Sequence, residues 1–225
     1  MPRLFASTTG PHDWRSFLAK PEIHWKIGYS AHALAHCWEA AGEGFPPEIQ
    51  HLLETSSDPY LHKVMPLLAI PEFKVELPGG DASSQNDIFV IAVSERGAVS
   101  IMVEGKVAER FGNESLGQWG VNASKGKIKR WDYLCKKLDI QQPLSGTLRY
   151  QLFHRMASSV IEAERLRAAY AIMIVHSFSS SHQWFEDYHA FVGLFGAEAK
   201  TGQLSFLKRC RGIDLYAGWA TGTIS

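Results

Sequence analysis

Alternation of apolar and polar residues predicts three strands in the first half of the chain. Charged and apolar residues alternate over 72–77, which predicts a half-buried strand. The mostly apolar run 87–93 and the alternating run 98–107 predict two more, with the turn residues 94–97 between them. Two strands joined by a short turn that contains glycine form an antiparallel hairpin.

Helical spacing of apolar residues surrounds these strands. Helices are predicted at 30–41, where Ser30 is the expected N-cap, and at 47–54, which opens with a proline. Later in the chain the pattern predicts helices at 127–138, 149–169 and 184–195, and strands at 171–175 and 215–220. This order predicts an α/β fold of the α+β type, in which helices flank a mixed central sheet.

Composition limits the class of protein. The 225 residues include 23 Lys and Arg and 23 Asp and Glu, so the formal net charge is zero. A generally basic nucleic-acid-binding surface is therefore excluded, although a local basic patch is not. We find no repeat, linker, signal peptide or membrane-spanning run, and the three cysteines are widely spaced. We expect one domain over 1–225 that is cytoplasmic and does not contact a membrane.

The tripeptide Glu104-Gly105-Lys106 carries the most informative chemistry. Glu104 and Lys106 are two residues apart on a predicted strand, so their side chains share one face. The hairpin then places Asp87, at the start of the preceding strand, beside them. Neighbouring carboxylates need a cation, for which Mg²⁺ or Mn²⁺ is suited, and a nearby lysine can orient a water molecule.

This arrangement resembles the core of the PD-(D/E)XK nuclease superfamily. The resemblance covers about 31–178, in the order α-β-β-β-α-β, with the helix and strand of 184–222 packed on that core. It implies a restriction-endonuclease-like core in which Asp87 and Glu104 hold Mg²⁺ or Mn²⁺ and Lys106 serves the attacking water. Asn86 replaces the proline of the superfamily motif. Several stretches also resemble a group of uncharacterised bacterial proteins, which supplies no activity.

The motif alone is weak, because the same pattern occurs three times. It also appears as Glu72-Phe73-Lys74 and as Glu198-Ala199-Lys200. Only Glu104-Gly105-Lys106 ends an apolar strand that has an aspartate on its hairpin partner. A surface salt bridge is the alternative interpretation of the same residues.

Further residues extend the candidate site. Gly105, through its carbonyl, and Glu76, at the end of the first strand, are candidate additional metal ligands. Gln151 matches by residue type a helix residue of some superfamily nucleases, and is the predicted assisting catalytic residue. Substrate contacts are predicted for Gln85, Arg149, His154, Arg155, Lys127, Lys129 and Arg130. Each of these side chains has an alternative interpretation as a solvated charge, a turn cap or a surface ion pair.

Two other constellations are weaker. His32 and His36 lie four residues apart, as in some zinc sites, but no glutamate follows His32 as in HExxH. His176-Ser177 lacks the GxSxG context of a serine nucleophile. The superfamily resemblance therefore implies a metal-dependent nuclease that acts on DNA, with a homodimer possible because cleavage of both strands needs two sites. The alternative is a non-catalytic module of the same fold that binds nucleic acid or a protein.

Overall fold

A six-stranded mixed sheet runs through the computed structural model, which describes residues 8–112 and 114–223. Its order is β1-β2-β3-β4-β6-β5. The first three strands are antiparallel, β3, β4 and β6 are parallel, and β5 is antiparallel to β6. The strands are β1 Met65–Val75, β2 Ser84–Ser94, β3 Gly97–Lys106, β4 Tyr170–Ser177, β5 Leu204–Cys210 and β6 Ile213–Thr221. The predicted mixed α/β class is thus confirmed.

Helices cover both faces of the sheet. They are α1 Pro21–His24, α2 Ser30–Ala40, α3 Pro47–Glu54, α4 Leu116–Gly120, α5 Lys125–Leu138, α6 Tyr150–Leu166 and α7 Phe185–Gly193, with short 3-10 helices at Pro11–Phe17 and Pro59–Leu61. One apolar core joins α2 and α3 to the sheet, and the other joins α5, α6 and α7 to its opposite face. The parallel strand β4 is buried along its whole length, as its continuous apolar sequence predicts.

The edges of the sheet differ most from the sequence prediction. β1 begins at Met65, seven residues before the predicted start, and ends at Val75. Pro66 and Pro71 hide this strand from a pattern search, and its edge position tolerates them. The other edge strand, β5, was not predicted. Residues 1–7, 113, 224 and 225 of the predicted single domain lie outside the described residues.

The start of α2 also differs from the prediction. Tyr29, and not Ser30, is the N-cap residue, and Ser30 is the first residue of the helix. The backbone N–H of Ser30 donates to the carboxylate of Glu109 at 2.8 Å. A side chain 79 residues away therefore caps the helix, which local sequence does not reveal.

Within residues 8–112 and 114–223, no helix combines the length and apolar character that crossing a bilayer requires.

Contact between two glycines fixes the loop after β1 against the start of α5. A Cβ atom added to Gly126 would lie 2.3 Å from the carbonyl oxygen of Gly79. We expect Gly126→Ala to lower the free energy of unfolding by about 1–3 kcal/mol, because backbone must move to admit the methyl group. Urea denaturation measures this change.

Gly193→Ala in α7 is the matched control. A Cβ atom at Gly193 meets nothing within 4 Å. Alanine there should leave the stability unchanged or raise it by up to about 1 kcal/mol, through its higher helix propensity. Equal effects of the two substitutions would contradict the importance of the glycine contact.

Candidate active site

The ends of β2 and β3 meet α6 at one edge of the sheet. Phe89 and Met102 are paired across these strands and pack on the α6 face. Asp87 and Glu104 lie two residues further along their strands and share that face. The backbone N–H of Gly105 donates to Asp87 Oδ2 at 2.7 Å, which holds the aspartate beside Glu104.

Glu104 is a buried carboxylate that is held by three donors. Its Oε1 accepts from Lys106 Nζ at 2.6 Å and from Gln151 Nε2 at 2.7 Å. Arg155 Nε donates to Oε2. Burial alone would raise the pKa of Glu104, but the positive charges of Arg155 and Lys106 outweigh it and hold that pKa at about 2. Glu104 is therefore ionised in the folded protein.

Two further carboxylates adjoin Glu104. The pairing of β1 with β2 places Glu72 opposite Asp87, and Gln85 Nε2 donates to the Glu72 carboxylate. Burial raises the pKa of Glu72, and burial together with the charge of Glu104 raises that of Asp87 well above its usual range. Three carboxylates face Lys106 and Arg155 in this cluster, so ionisation of all three would leave its negative charge incompletely balanced.

Glu72, and not the predicted Glu76, is the carboxylate of β1 that lies beside Asp87. Glu76 is exposed and follows the last residue of β1, so the structure does not bring it to the cluster. Glu72 has a φ of 52°, which interrupts the alternation of the edge strand. The motif Glu72-Phe73-Lys74 was the available signal, but only the long-range register shows that Glu72 faces Asp87.

Gln151 presents an unsatisfied oxygen within the cluster. Its Nε2 donates to Glu104, whereas its Oε1 is buried without a hydrogen-bond partner among the described residues. An orphaned buried acceptor costs about 1–3 kcal/mol. A water molecule or a cation would satisfy this oxygen, so the residues present fit a bound ion.

His154 and Ser84 lie beside the guanidinium group of Arg155. His154 Nδ1 lies 2.8 Å from Ser84 Oγ, and Arg155 Nη1 donates to the same Oγ at 3.3 Å. Burial, followed by the charge of Arg155, lowers the pKa of His154 well below its usual range, so the ring is neutral. The structure places His154 half-buried beside Arg155 and not on an open surface.

A pocket of about 290 Å³ adjoins the carboxylates. Its polar lining includes Glu72, Gln85, Asp87, Glu109 and Arg155. The opposite wall comes from residues 18–31, which include the start of α2. A ligand in this pocket would contact Asp87 and Arg155 together.

Most of the other predicted substrate contacts are engaged within the protein. Arg149 Nε donates to Asp187 at 3.0 Å, and Lys127 Nζ donates to the carbonyl of Trp119 at 3.0 Å. The guanidinium of Arg130 donates to three backbone carbonyls of the loop after β1, those of Leu77, Pro78 and Gly80. Lys129 is exposed on α5. The structure therefore gives Arg149, Lys127 and Arg130 internal roles that the charge pattern does not reveal.

Gly105 has a packing role that the sequence prediction missed. A Cβ atom there would lie 2.4 Å from Leu34 Cδ1 of α2. The glycine between Glu104 and Lys106 thus allows α2 to approach the sheet, while its N–H holds Asp87. Its carbonyl as a metal ligand remains a prediction.

A second cluster of possible ligands lies on the other face of the sheet. Cys37, Glu48 and His176 are the described residues whose donor atoms all lie within 4.8 Å of one another. The Trp38 indole N–H can only donate, and it faces His176 Nδ1 at 3.3 Å. The proton of His176 is therefore on Nε2, which donates to Glu48 at 2.7 Å. This cluster is a hydrogen-bonded network whose imidazole offers no lone pair at Nε2.

Replacement of the buried Glu104 carboxylate should strongly destabilise the folded protein. We expect Glu104→Gln to lower the free energy of unfolding by about 3–5 kcal/mol, because it leaves Lys106 and Arg155 buried without their counter-charge. Urea denaturation measures this loss.

Glu198→Gln is the matched control, since Glu198 and Lys200 have the same spacing. Their ion pair is exposed, with side-chain exposures of 71% and 57%. We expect its loss to change stability by at most about 1 kcal/mol. Similar losses of stability in Glu104→Gln and Glu198→Gln would argue against burial as the cause of the Glu104→Gln effect.

Comparison with known proteins gives a family without an activity. Neither the curated proteins nor the solved structures contain a match to this chain. Residues 7–224 match the family described as a domain of unknown function (DUF6946). The match spans nearly the whole sequence, and the chain therefore belongs to this family.

Proposed function

We propose that this protein is a metal-dependent nuclease. The observation that carries the proposal is the convergence of Asp87, Glu104 and Lys106 from two paired strands with Gln151 and Arg155 from α6. Helices α4, α5 and α6 lie between β3 and the parallel strand β4, where the superfamily resemblance implies a crossover helix. DNA is the proposed substrate on the strength of that resemblance.

Asp87, Glu104 and the free Oε1 of Gln151 would hold Mg²⁺ or Mn²⁺. Hard divalent cations prefer oxygen ligands, and a cluster with incompletely balanced negative charge favours their binding. The ion would neutralise charge on the phosphate and make a bound water more acidic. Lys106 and Arg155 are hydrogen-bonded to the carboxylate oxygens of Glu104. An ion can therefore bind Glu104 only if at least one of these two bonds breaks.

Lys106 is the group suited to position the attacking water. Its ammonium is buried, bonded to Glu104 and placed 4.9 Å from the centre of the Phe111 ring. This confinement restricts the rotamers of a normally flexible chain, so a donor is held in a fixed direction. Arg155 lines the pocket and supplies a positive charge for a phosphate oxygen.

A non-catalytic module is the second candidate function. The observation in its favour is that both oxygens of Glu104 are already bonded to side chains. If these bonds never yield to an ion, the cluster serves stability. Salt-dependent DNA binding without cleavage would then support this second function.

Asp87→Asn tests the metal site without disturbing the fold. Asparagine keeps an oxygen for the Gly105 N–H, and burial already favours the uncharged form at this position. We expect calorimetry to show Mn²⁺ binding by the wild type and a loss of at least about tenfold in affinity in Asp87→Asn.

Glu76→Gln removes an exposed carboxylate near the same edge and serves as the control. It should bind Mn²⁺ as the wild type does. Equal binding by the wild type and Asp87→Asn would remove Asp87 from the site.

Lys106→Met tests the role of the lysine in cleavage. Methionine fills a similar volume but cannot donate to water. Loss of a positioned proton-transfer group should slow Mg²⁺-dependent plasmid cleavage by about 10²–10⁴-fold. The measurement is the rate of nicking at saturating Mg²⁺, with calorimetry to confirm that the ion still binds.

Lys200→Met is the matched control, because Lys200 belongs to the exposed Glu198 pair. Its cleavage rate should equal that of the wild type. Full activity of Lys106→Met would overturn the role given to Lys106.

A further inference from the structure

Three imidazole rings gather where the N-terminal 3-10 helix crosses α2. His32 and His36 lie on successive turns of α2, with ring centroids 4.3 Å apart and ring planes inclined by 32°. His12, from Pro11–Phe17, has its centroid 6.5 Å from that of His36. The side chain of Trp25 closes the cluster, 5.3 Å from the His32 ring.

The fold fixes the relative position of these elements. Trp14, two residues after His12, is buried and donates its indole N–H to Glu39 Oε1 of α2 at 2.7 Å. This bond holds the 3-10 helix beside the face of α2 that carries His32 and His36. Proximity of His12 therefore follows from a buried anchor, and sequence spacing alone cannot show it.

The nitrogen atoms of the three rings are available. No hydrogen bond or ion pair from another described residue occupies His12, His32 or His36, and their rings contact one another and Trp25. His32 and His36 are half-buried and His12 is exposed, so water and ions reach the cluster. The nearby acids Asp13 and Glu39 accept hydrogen bonds from Thr9 and Trp14. Ring nitrogens without such partners, on rings this close, resemble ligands more than a structural network.

We propose that His12, His32 and His36 form a binding site for one divalent transition-metal ion of the zinc class. Two imidazoles that bind one tetrahedral ion at about 2.0–2.1 Å have centroids about 5 Å apart. The observed 4.3 Å for His32 and His36 lies within about 1 Å of this value, so a small rotation of the two side chains brings their nitrogens to one ion. His12 must turn inward by side-chain rotation to become the third ligand, and water completes the coordination.

Ligand chemistry separates this site from the carboxylate cluster. Imidazole nitrogen suits Zn²⁺, Ni²⁺ and Cu²⁺, whereas Mg²⁺ prefers oxygen. Burial, with the neighbouring charges of His36 and His12, lowers the pKa of His32, which favours the neutral ring that binds metal.

The position of the site gives it a structural consequence. An ion bound there would fasten residues 11–25 to α2. Leu18, Ala19 and His24 of that segment line the pocket beside Asp87. The ion would therefore hold one wall of the pocket in place without touching the carboxylates.

Calorimetric titration of the full-length protein with Zn²⁺ tests the proposal. We expect one ion to bind the wild type in the micromolar range. His32→Gln and His36→Gln should each weaken binding by more than about tenfold, and His12→Gln by about tenfold, since even residues that only support a ligand contribute that much. Zn²⁺ should also raise the melting temperature of the wild type but not that of His32→Gln or His36→Gln.

Three controls locate the ion. His51→Gln removes an exposed histidine of α3, Cys37→Ser disables the network around His176, and Asp87→Asn alters the carboxylate cluster. His51→Gln and Cys37→Ser should bind Zn²⁺ as the wild type does, and Asp87→Asn should keep the binding that His32→Gln and His36→Gln lose. Melting followed by circular dichroism without metal establishes that each variant is folded.

The outcomes are decisive in either direction. Absence of Zn²⁺ binding by the wild type, or undiminished binding by folded His32→Gln and His36→Gln, would overturn the site. Undiminished binding by His12→Gln would overturn the three-ligand assignment. Loss of binding in Cys37→Ser alone would move the ion to the other cluster.

Discussion

Burial of the Glu104 carboxylate is the constraint on which the arrangement at the strand ends depends. An ionised carboxylate in the protein interior is strongly unfavourable unless cations and hydrogen-bond donors surround it. Lys106 meets this need from the same strand, while Gln151 and Arg155 do so from successive turns of α6. The requirement to satisfy one charge thus fixes the position of α6 over the ends of β2 and β3.

The same constraint distributes charge unequally among the acids. Glu104 takes the available cations and stays ionised, whereas the pKa values of Asp87 and Glu72 are raised. With all three acids ionised the cluster would lack about one cation, and the Gln151 oxygen lacks a partner among the described residues. A divalent ion would correct both deficits. Without a divalent ion, Lys106 and Arg155 alone balance the charge of the Glu104 carboxylate. The same geometry therefore supports both a catalytic and a non-catalytic function.

Sequence patterns predict those parts of the fold that local periodicity encodes. The hairpin of β2 and β3, the buried strand β4 and the main helices follow from periods of two and 3.6 residues. Prolines conceal most of β1, and the missed strand β5 lies at the other edge of the sheet. Within the site, the placement of Asp87 beside Glu104 follows from one short turn, but the approach of Glu72 depends on the register of an edge strand. The internal contacts of Arg130 and Arg149 are likewise made with residues 38 or more positions away, beyond the reach of any local pattern.

Helix α2 connects the two places in this molecule that carry candidate chemistry. It lies close against β3 because Gly105 has no side chain, and Glu109 caps its first turn at the rim of the pocket. His32 and His36 lie on the same helix, at most two turns from that cap. A rigid helix transmits a restraint along its length, so whatever fastens the N-terminal segment at the histidines also limits motion of the wall that faces Asp87. Glycine in the Glu-Gly-Lys motif therefore serves packing first, and through packing it brings a second group of candidate ligands near the pocket.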